Sequence, residues 1–211
     1  MDGALANNKQ PVIQLPLEPR VQHVAELCLA CLAHIFTWCS PSLCVSSRLL
    51  NVLFQYATLS IKTQVEVIDQ AVLCNLSQVL LQGKDQSCIE LSTKAMAALN
   101  EIIYKNYVPQ DFNEYLVIMM KNCYQLLQNL VGDHGVLNAM NETYLEKVSE
   151  FLRLFLSIHL SRLEQTPHFP ILEFLALIFK FTFQQSSIQG FSQCLEIWSG
   201  ELCVIGQCCK Y

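Results

Sequence analysis

Two neighbouring segments in the second half of the chain carry contrasting helical patterns. In NETYLEKVSEFLRLFLSIHLSRLE, residues 141–164, polar residues recur every three or four positions along one stripe, and apolar residues line the opposite face. After a break at Pro167 to Pro170, the segment FPILEFLALIFKFTF carries charge only at Glu173 and Lys180. A helix without a broad polar face needs neighbours on several sides, so this pair is typical of one unit in a stack of helices.

The same helical period runs through the rest of the chain and predicts eight helices. Their approximate ranges are 20–39, a segment after Pro41 that carries Leu49 to Phe54, 61–82, 87–105, 111–132, 141–164, 170–183 and 188–198. Ser87, followed three residues later by Glu90, is a predicted helix N-cap, as is Asn141. The predicted inward residues are Val21, Ala25, Cys28, Leu32 and Ile35 in the first helix, and Phe112, Leu116, Met119, Cys123, Leu126 and Leu130 in the fifth.

These helices, joined by short breaks and without strand-like alternation, predict an all-α fold. The repeat of roughly 40 to 50 residues per helix pair favours an α-solenoid of antiparallel helix pairs of the HEAT or armadillo type. We expect three parts: an extended, disordered lead-in at residues 1–19 with Pro11, Pro16 and Pro19, a helical repeat segment at 20–198, and a divergent, disordered tail at 199–211. The repeat segment then carries the function.

Composition narrows the class of partner. Hydrophobic residues make up 52% of the chain and charged residues 15%, against roughly 25% charged in ordinary soluble domains. Such a composition is expected of a piece of solenoid whose ends need further cover. The net charge of −5 and the scattered Lys and Arg residues exclude a nucleic-acid-binding protein and leave a basic protein surface as a weakly favoured partner.

The residue types that carry catalysis are not arranged for it in this sequence. The glycines are dispersed rather than grouped in a phosphate-binding loop, His159 has no second histidine one turn away, and no Gly-x-Ser-x-Gly elbow is present. Glu142, Glu146 and Glu150 form an acidic stripe that is expected to be solvated. We therefore predict that the protein is not an enzyme, that it has no catalytic, metal or cofactor-binding residues, and that His34 and His159 are partly buried structural histidines.

The eleven cysteines allow a second interpretation. Cys28 and Cys31, followed by Cys39 and Cys44 with His34 between, could form a zinc site. Zinc-binding cysteine pairs usually lie in turns, whereas this pair continues a helix, so the favoured prediction treats the helical cysteines as reduced small core residues. Those cysteines are Cys28, Cys31, Cys74, Cys88, Cys123 and Cys194.

A membrane-spanning segment is the other alternative. Residues 27–47 contain no charged side chain apart from His34 and approach the length of a bilayer crossing, but Pro41 and the serines around it split the stretch into two helices. The first ten residues, MDGALANNKQ, lack a signal-peptide pattern. We therefore expect an intracellular protein without a membrane partner, in which the glycosylation patterns at Asn75 and Asn141 are accidental.

Several segments resemble the exportins, which are nuclear transport receptors of the importin-β type. The resemblance is carried by QHVAELCLACLAHIFTW, by NYVPQDFNEYL, and most strongly by residues 144–164 and 169–198. It implies a HEAT-repeat receptor that exports protein from nucleus to cytoplasm with Ran-GTP, with actin–profilin as cargo and nucleoporins as further candidate partners. It assigns no individual partner-binding residue.

The resemblance departs from this sequence in two places. Residues 60–85 show no close correspondence, and SGELCVIGQCCKY follows Trp198 where a continuing helix is expected. The alternative prediction is therefore a non-transport helical scaffold, or a truncated regulator that competes with a full-length receptor.

Overall fold

The computed structural model describes residues 13, 17–74, 82–104, 113–132, 136–164 and 170–208. These residues form ten helices, of which α2 and α7 are single turns. The helices are α1 (Pro19–Trp38), α2 (Pro41–Cys44), α3 (Ser47–Ala57), α4 (Leu59–Cys74), α5 (Gln82–Tyr104), α6 (Asn113–Leu130), α7 (Val136–Ala139), α8 (Glu142–Glu164), α9 (Ile171–Phe183) and α10 (Ile188–Cys208). No strand occurs within the described ranges, and the all-α prediction is confirmed.

Local chemistry explains where several helices begin. Pro19 occupies the first turn of α1, where its missing N–H is not needed. Ser46 precedes α3, and its hydroxyl accepts a hydrogen bond from the Leu49 N–H at 3.2 Å. Asn141 caps α8 as predicted, because its Oδ1 accepts from the N–H groups of Thr143 at 2.9 Å and Tyr144 at 3.4 Å.

The long helices are arranged in two rows. In the first row α1 packs against α5, α5 against α8, and α8 against α10. In the second row α3 packs against α6, and α6 against α9, while α3 also packs across the rows against α5. Each helix thus contacts its neighbours in the stack, which is the arrangement of a solenoid and confirms the predicted architecture.

Aromatic side chains fill the space between the rows. The Phe54 ring of α3 lies edge-on to Phe151 of α8, with ring centroids 6.0 Å apart, and Phe151 stacks on Phe155 at 5.5 Å. All three rings are buried. Burial of one such ring contributes about 1.5 to 3 kcal/mol, so this contact ties the two rows together.

The break between α3 and α4 is held by side chains from two other helices. The Ser92 hydroxyl of α5 donates to the Tyr56 carbonyl at 2.9 Å and accepts from the Ser60 N–H at 3.0 Å. The Tyr144 hydroxyl of α8 donates to the Ala57 carbonyl at 2.8 Å. Because these backbone groups lie at helix ends inside the core, the side chains supply hydrogen bonds that the helices lack.

Three predicted boundaries are wrong. The segment after Pro41 is divided into α2 and α3 rather than one helix. The fourth predicted helix starts at Gln82 rather than near Ser87, because residues 84–87 are compatible with helix and Gly83 is tolerated close to a helix start. The last helix continues past Trp198 to Cys208, since residues 199–208 contain no proline to stop it.

The remaining domain assignments are predictions that the structure leaves open. Most of the lead-in at 1–19, Phe112, Pro109 and Asp111 lie outside the described residues. The predicted inward face of α6 is otherwise confirmed, since Leu116, Met119, Cys123, Leu126 and Leu130 are all buried.

Candidate partner-binding surfaces

The first candidate surface is the outer side of α9 and the adjoining side of α10. On α9 only Phe174, Ile178, Phe181 and Thr182 are buried. The opposite side exposes large apolar side chains: Leu172 is 78% exposed, Phe179 55%, Phe183 60%, and Ile188 of α10 90%. The described residues therefore cover one side of a helix whose sequence predicts cover on several sides. We call Leu172, Phe179, Phe183, Ile188 and Leu195 the α9–α10 face.

Ring contacts hold the α9–α10 face in place. The Phe179 ring lies 4.4 Å from that of Phe183 and 6.2 Å from that of Trp198. Phe183 lies edge-on to Phe191 of α10 at 5.8 Å. The Trp198 indole N–H donates to the buried Thr182 hydroxyl at 3.0 Å, which fixes α10 against α9. These contacts hold Phe179 and Phe183, the two aromatic residues of the face, in fixed positions.

The second candidate surface lies on α1. Ala25, Leu29 and Phe36 are the buried residues of this helix. Val21, Val24 and Trp38 are 48%, 58% and 70% exposed, and Cys28 and Cys31 are exposed with them. We call these five exposed residues the α1 seam.

The position of the α1 seam corrects the predicted inward stripe of this helix. Ala25 is buried as predicted and Leu32 and Ile35 are half-buried, but Val21 and Cys28 are exposed. The prediction failed because α1 is apolar on two adjacent stripes, one that packs against α5 and one that remains open.

The third candidate surface is a polar groove between α8 and α10. It consists of two adjoining cavities of about 230 and 240 Å³ that share Glu146, Ser149 and Gln193. One wall comes from α8 and the other from α10 and the segment before it; the further lining residues are Met140, Glu142, Thr143, Leu145, Lys147, Glu150, Arg153, Gln185, Ser186, Ser187, Gln189, Gly190 and Glu196. We call this surface the α8–α10 groove.

The α8–α10 groove is acidic. Four carboxylates, from Glu142, Glu146, Glu150 and Glu196, and two cations, Lys147 and Arg153, line it. The Lys147 ammonium pairs with Glu150 at 2.8 Å. The buried amide of Asn100, on α5, donates to Glu150 Oε2 and to the Lys147 carbonyl, both at 3.2 Å. Carboxylates on both walls suit Lys or Arg side chains of a protein partner.

The sequence predicted only part of the α8–α10 groove. The stripe of Glu142, Glu146 and Glu150 was recognised, and the first two are exposed as predicted. The contributions of Glu196 and Asn100 were missed, because their positions depend on how α10 and α5 pack against α8. The one available signal was the glutamine-rich segment at residues 184–193, which Glu196 follows.

Carboxylates and phenols elsewhere are tuned by neighbouring hydrogen bonds. A bond from the Gln22 amide at 2.9 Å, aided by Lys94 of α5 at 3.5 Å, holds the pKa of Glu26 below its usual value. The Tyr124 hydroxyl of α6 donates to Glu173 of α9 at 3.0 Å, and this bond raises the pKa of Tyr124. The Glu26–Lys94 ion pair and the Tyr124–Glu173 bond each join neighbouring helices of a row, and neither forms a nucleophile with its base.

The predictions that the helical cysteines and the two histidines are buried or partly buried are confirmed for some of these residues and wrong for others. Cys88, Cys123 and Cys194 are buried, whereas Cys28 and Cys31 are exposed and are not core residues; the Cys74 side chain lies outside the described residues. Among the described residues, no three His, Cys, Asp or Glu side chains are grouped in a way that could hold a metal ion. His159 is buried beside the Phe155 ring at 5.9 Å, and His34 is exposed rather than partly buried.

One described helix has the length and composition of a membrane span. It is α1, with a mean hydropathy of 1.2 over a window that is 17% buried. A single such helix is weak support for a membrane protein, since core helices of soluble proteins also meet this criterion. The stretch 27–47 is interrupted as predicted, because α1 ends at Trp38 and new helices start at Pro41 and Ser47.

Comparison with known proteins relates this stack of helices to a transport receptor. The chain is 37% identical over 196 residues to Exportin-6 of Mus musculus, an alignment that covers 90% of this chain. The chain is therefore similar to one segment of exportin-6. Exportin-6 of Homo sapiens is 36% identical over the same share of this chain, and Exportin-6 of Dictyostelium discoideum is 38% identical over 109 residues, or 51% of this chain.

The similarity covers a small part of each exportin-6. The chain spans 17% of the length of the mouse and human proteins and 10% of the Dictyostelium protein. No family model matches the chain, and no solved structure matches it. The exportins that it resembles are transport receptors and not enzymes, and this family-level similarity supports the prediction that the chain is not an enzyme.

Proposed function

We propose that the chain is a segment of an exportin-like nuclear transport receptor, and that it takes part in Ran-GTP-dependent export of protein from nucleus to cytoplasm. The observation that carries the proposal is the similarity to exportin-6 over 90% of the chain. The two-row stack of helices supports it, because a solenoid offers long continuous surfaces on which a receptor can hold a folded cargo.

In this proposal the protein catalyses no reaction and acts through coupled binding of its two partners. Cargo and Ran-GTP each bind better to the same curved form of the receptor, so each raises the affinity for the other. Actin–profilin is the proposed cargo, nucleoporins are further proposed partners, and the receptor is present in both nucleus and cytoplasm. The resemblance to exportins is the source of each of these assignments.

The α8–α10 groove is the proposed place for a polar contact with a partner. Its carboxylates favour a basic protein surface. Glu146 and Glu196 lie on opposite walls and are both exposed. Replacement of both by Gln keeps the size of the side chains and removes two charges, so it separates the role of charge from that of packing.

The experiment uses a chimera in which the aligned segment of mouse Exportin-6 is replaced by this chain. In cells depleted of their own exportin-6, the chimera is expected to restore export of fluorescent actin–profilin from the nucleus to the level reached with mouse Exportin-6. A chimera that is stably expressed and enters the nucleus, yet leaves the cargo there, would contradict the proposal. Gln125→Glu, which changes a charge on the exposed side of α6, is the control for replacement of Glu146 and Glu196 by Gln.

A competing regulator is the second candidate function. The uncovered α9–α10 face favours it, because a separate chain with such a face has an apolar surface with which to bind a receptor. If it holds, the 211-residue chain added to mouse Exportin-6 lowers cargo binding in proportion to its concentration, and Phe179→Ser weakens this inhibition. If the chimera restores export and the separate chain does not inhibit cargo binding, the result favours the receptor-segment proposal over the regulator.

A further inference from the structure

The two cavities of the α8–α10 groove differ in how their charge is balanced. The cavity of about 230 Å³ is lined by Glu142 and Glu146, and no cation is among its lining residues. The cavity of about 240 Å³ is lined by both cations of the groove, Lys147 and Arg153. Within the described ranges neither Glu142 nor Glu146 forms an ion pair. One end of the groove is therefore open to a cation, whereas the other end already holds one.

At that other end an ammonium group of the chain itself binds the carboxylate of Glu150. The Lys147 Nζ lies 2.8 Å from Oε2 of Glu150, and the Asn100 Nδ2 donates to the same oxygen at 3.2 Å. Among the described residues no hydrogen bond reaches Oε1 of Glu150. Because a guanidinium binds a carboxylate most strongly through both oxygens, Lys147 leaves only half of this carboxylate to a partner.

Asn100 is a second, independent indication that the groove takes a ligand with several N–H donors. Its side chain is 5% exposed, and its amide is directed at Lys147 and Glu150 on the α8 wall. Its Oδ1 accepts no hydrogen bond in the part of the chain that the structure describes. A buried acceptor without a donor costs free energy. A guanidinium carries five N–H donors, so it can bind Glu150 and still donate to a neighbouring acceptor.

The size of the cavities favours single side chains over a small-molecule cofactor. Sites for drug-sized ligands enclose about 300 to 1,000 Å³, and each cavity of the groove is smaller than that. The cavities adjoin at Glu146, Ser149 and Gln193. Two basic side chains of one extended segment can therefore enter the groove side by side.

We propose that the α8–α10 groove binds two arginine side chains of one extended segment of a protein partner, and that Lys147 competes with the arginine that binds Glu150. The inference rests on the proposed function, in which this groove makes a polar contact with a partner, and it names the chemistry of that contact. Lys147 sets the affinity of the groove, because removal of its ammonium from Oε2 lets a guanidinium fork span the Glu150 carboxylate.

The experiment is a titration of the isotope-labelled 211-residue chain with short peptides, followed by nuclear magnetic resonance. The probe is acetyl-Gly-Arg-Gly-Arg-Gly-amide. The control peptide has citrulline, which keeps the shape of arginine without its charge, at both arginine positions. The arginine peptide is expected to shift the backbone resonances of Glu146, Gln193 and Glu196 and the side-chain amide resonances of Asn100, whereas the citrulline peptide is expected to leave them in place.

Lys147→Met tests the competition, because it keeps an unbranched side chain and removes the charge. We expect the Kd of the arginine peptide to fall about two- to five-fold at low ionic strength, and Lys147→Arg to behave like the unchanged chain. Lys121→Met makes the same change of net charge on the exposed side of α6 and should leave the Kd unchanged. In a chain that also carries Glu150→Gln, the effect of Lys147→Met should disappear, since the carboxylate for which the two cations compete is gone.

Three results would overturn the proposal. The citrulline peptide could shift the same resonances as the arginine peptide; Lys147→Met could leave the Kd of the arginine peptide unchanged or raise it; or Lys147→Met could lower this Kd equally with and without Glu150→Gln. Circular dichroism of each variant establishes that it is folded before the titration is interpreted.

The export experiment reads a different property of the protein. A chimera that fails to export its cargo, while the peptide titration gives the expected result, contradicts the transport function and supports the arginine site. A chimera that restores export, while Lys147→Met leaves the peptide affinity unchanged, supports the transport function and contradicts competition by Lys147.

Discussion

Removal of one buried hydroxyl tests how the two rows are held together. The Tyr144 hydroxyl on α8 donates to the Ala57 carbonyl at the break between α3 and α4, at a distance of 2.8 Å, and the side chain is fully buried. Tyr144→Phe keeps the ring and leaves that carbonyl without this donor inside the core. A buried polar group that loses its partner costs about 1 to 3 kcal/mol.

Urea unfolding at low protein concentration measures the loss of stability in Tyr144→Phe. With an m value of about 2 kcal/mol/M, a loss of about 2 kcal/mol lowers the urea midpoint by about 1 M without a change in m. Tyr124→Phe is the matched control, because it removes a hydroxyl whose bond to Glu173 is exposed, and it should leave the urea midpoint almost unchanged. Equal small losses in both variants would refute the idea that Tyr144 secures the break.

Three further predictions concern burial, capping and pH. Phe174→Ala removes a fully buried ring and should lower the unfolding free energy by about 3 to 5 kcal/mol, whereas Phe179→Ala on the open side of α9 should lower it by less than about 1 kcal/mol; similar losses would contradict the orientation of α9. Asn141→Ala should lower the unfolding free energy by about 0.5 to 2 kcal/mol, measured by thermal or urea unfolding, whereas Asn141→Ser should keep most of the original stability. An unchanged unfolding free energy in Asn141→Ala would contradict the capping role. Burial raises the pKa of Cys123 and of Tyr144, so the unfolded chain loses these two protons at lower pH than the folded chain does. The unfolding free energy should therefore fall as pH rises above about 9 to 10. Cys123→Ala should reduce the slope of unfolding free energy against pH, and an unchanged slope would count against burial of the thiol.

The sequence predicted the buried face correctly in helices that have apolar residues on one side only. In α6, apolar residues occur on a single stripe, and the predicted inward residues that the structure describes are all buried. In the same way, the amide of Asn141 stands before an apolar-periodic stretch, and it caps α8. In such cases local pattern and tertiary packing agree.

Where two faces are apolar, the pattern could not choose between them. On α1 the stripe that contains Val21 and Cys28 was predicted to be inward, but Ala25, Leu29 and Phe36 are the buried residues. On α9 every side reads as apolar, and only contact with α6 and α10 decides that Phe174 is buried and Phe179 exposed. The α8–α10 groove depends on the same kind of information, since its walls come from residues about 40 positions apart along the chain.

The central claim, that this chain can serve as a segment of a Ran-linked export receptor, is tested most directly by a binding titration. Actin–profilin is titrated against the chimera of mouse Exportin-6 and this chain, with Ran loaded either with GTP or with GDP. A coupling free energy of about 1 to 3 kcal/mol predicts a dissociation constant about 5 to 150 times lower with Ran-GTP than with Ran-GDP. Equal dissociation constants in the chimera, under conditions in which mouse Exportin-6 distinguishes the two, would contradict the account.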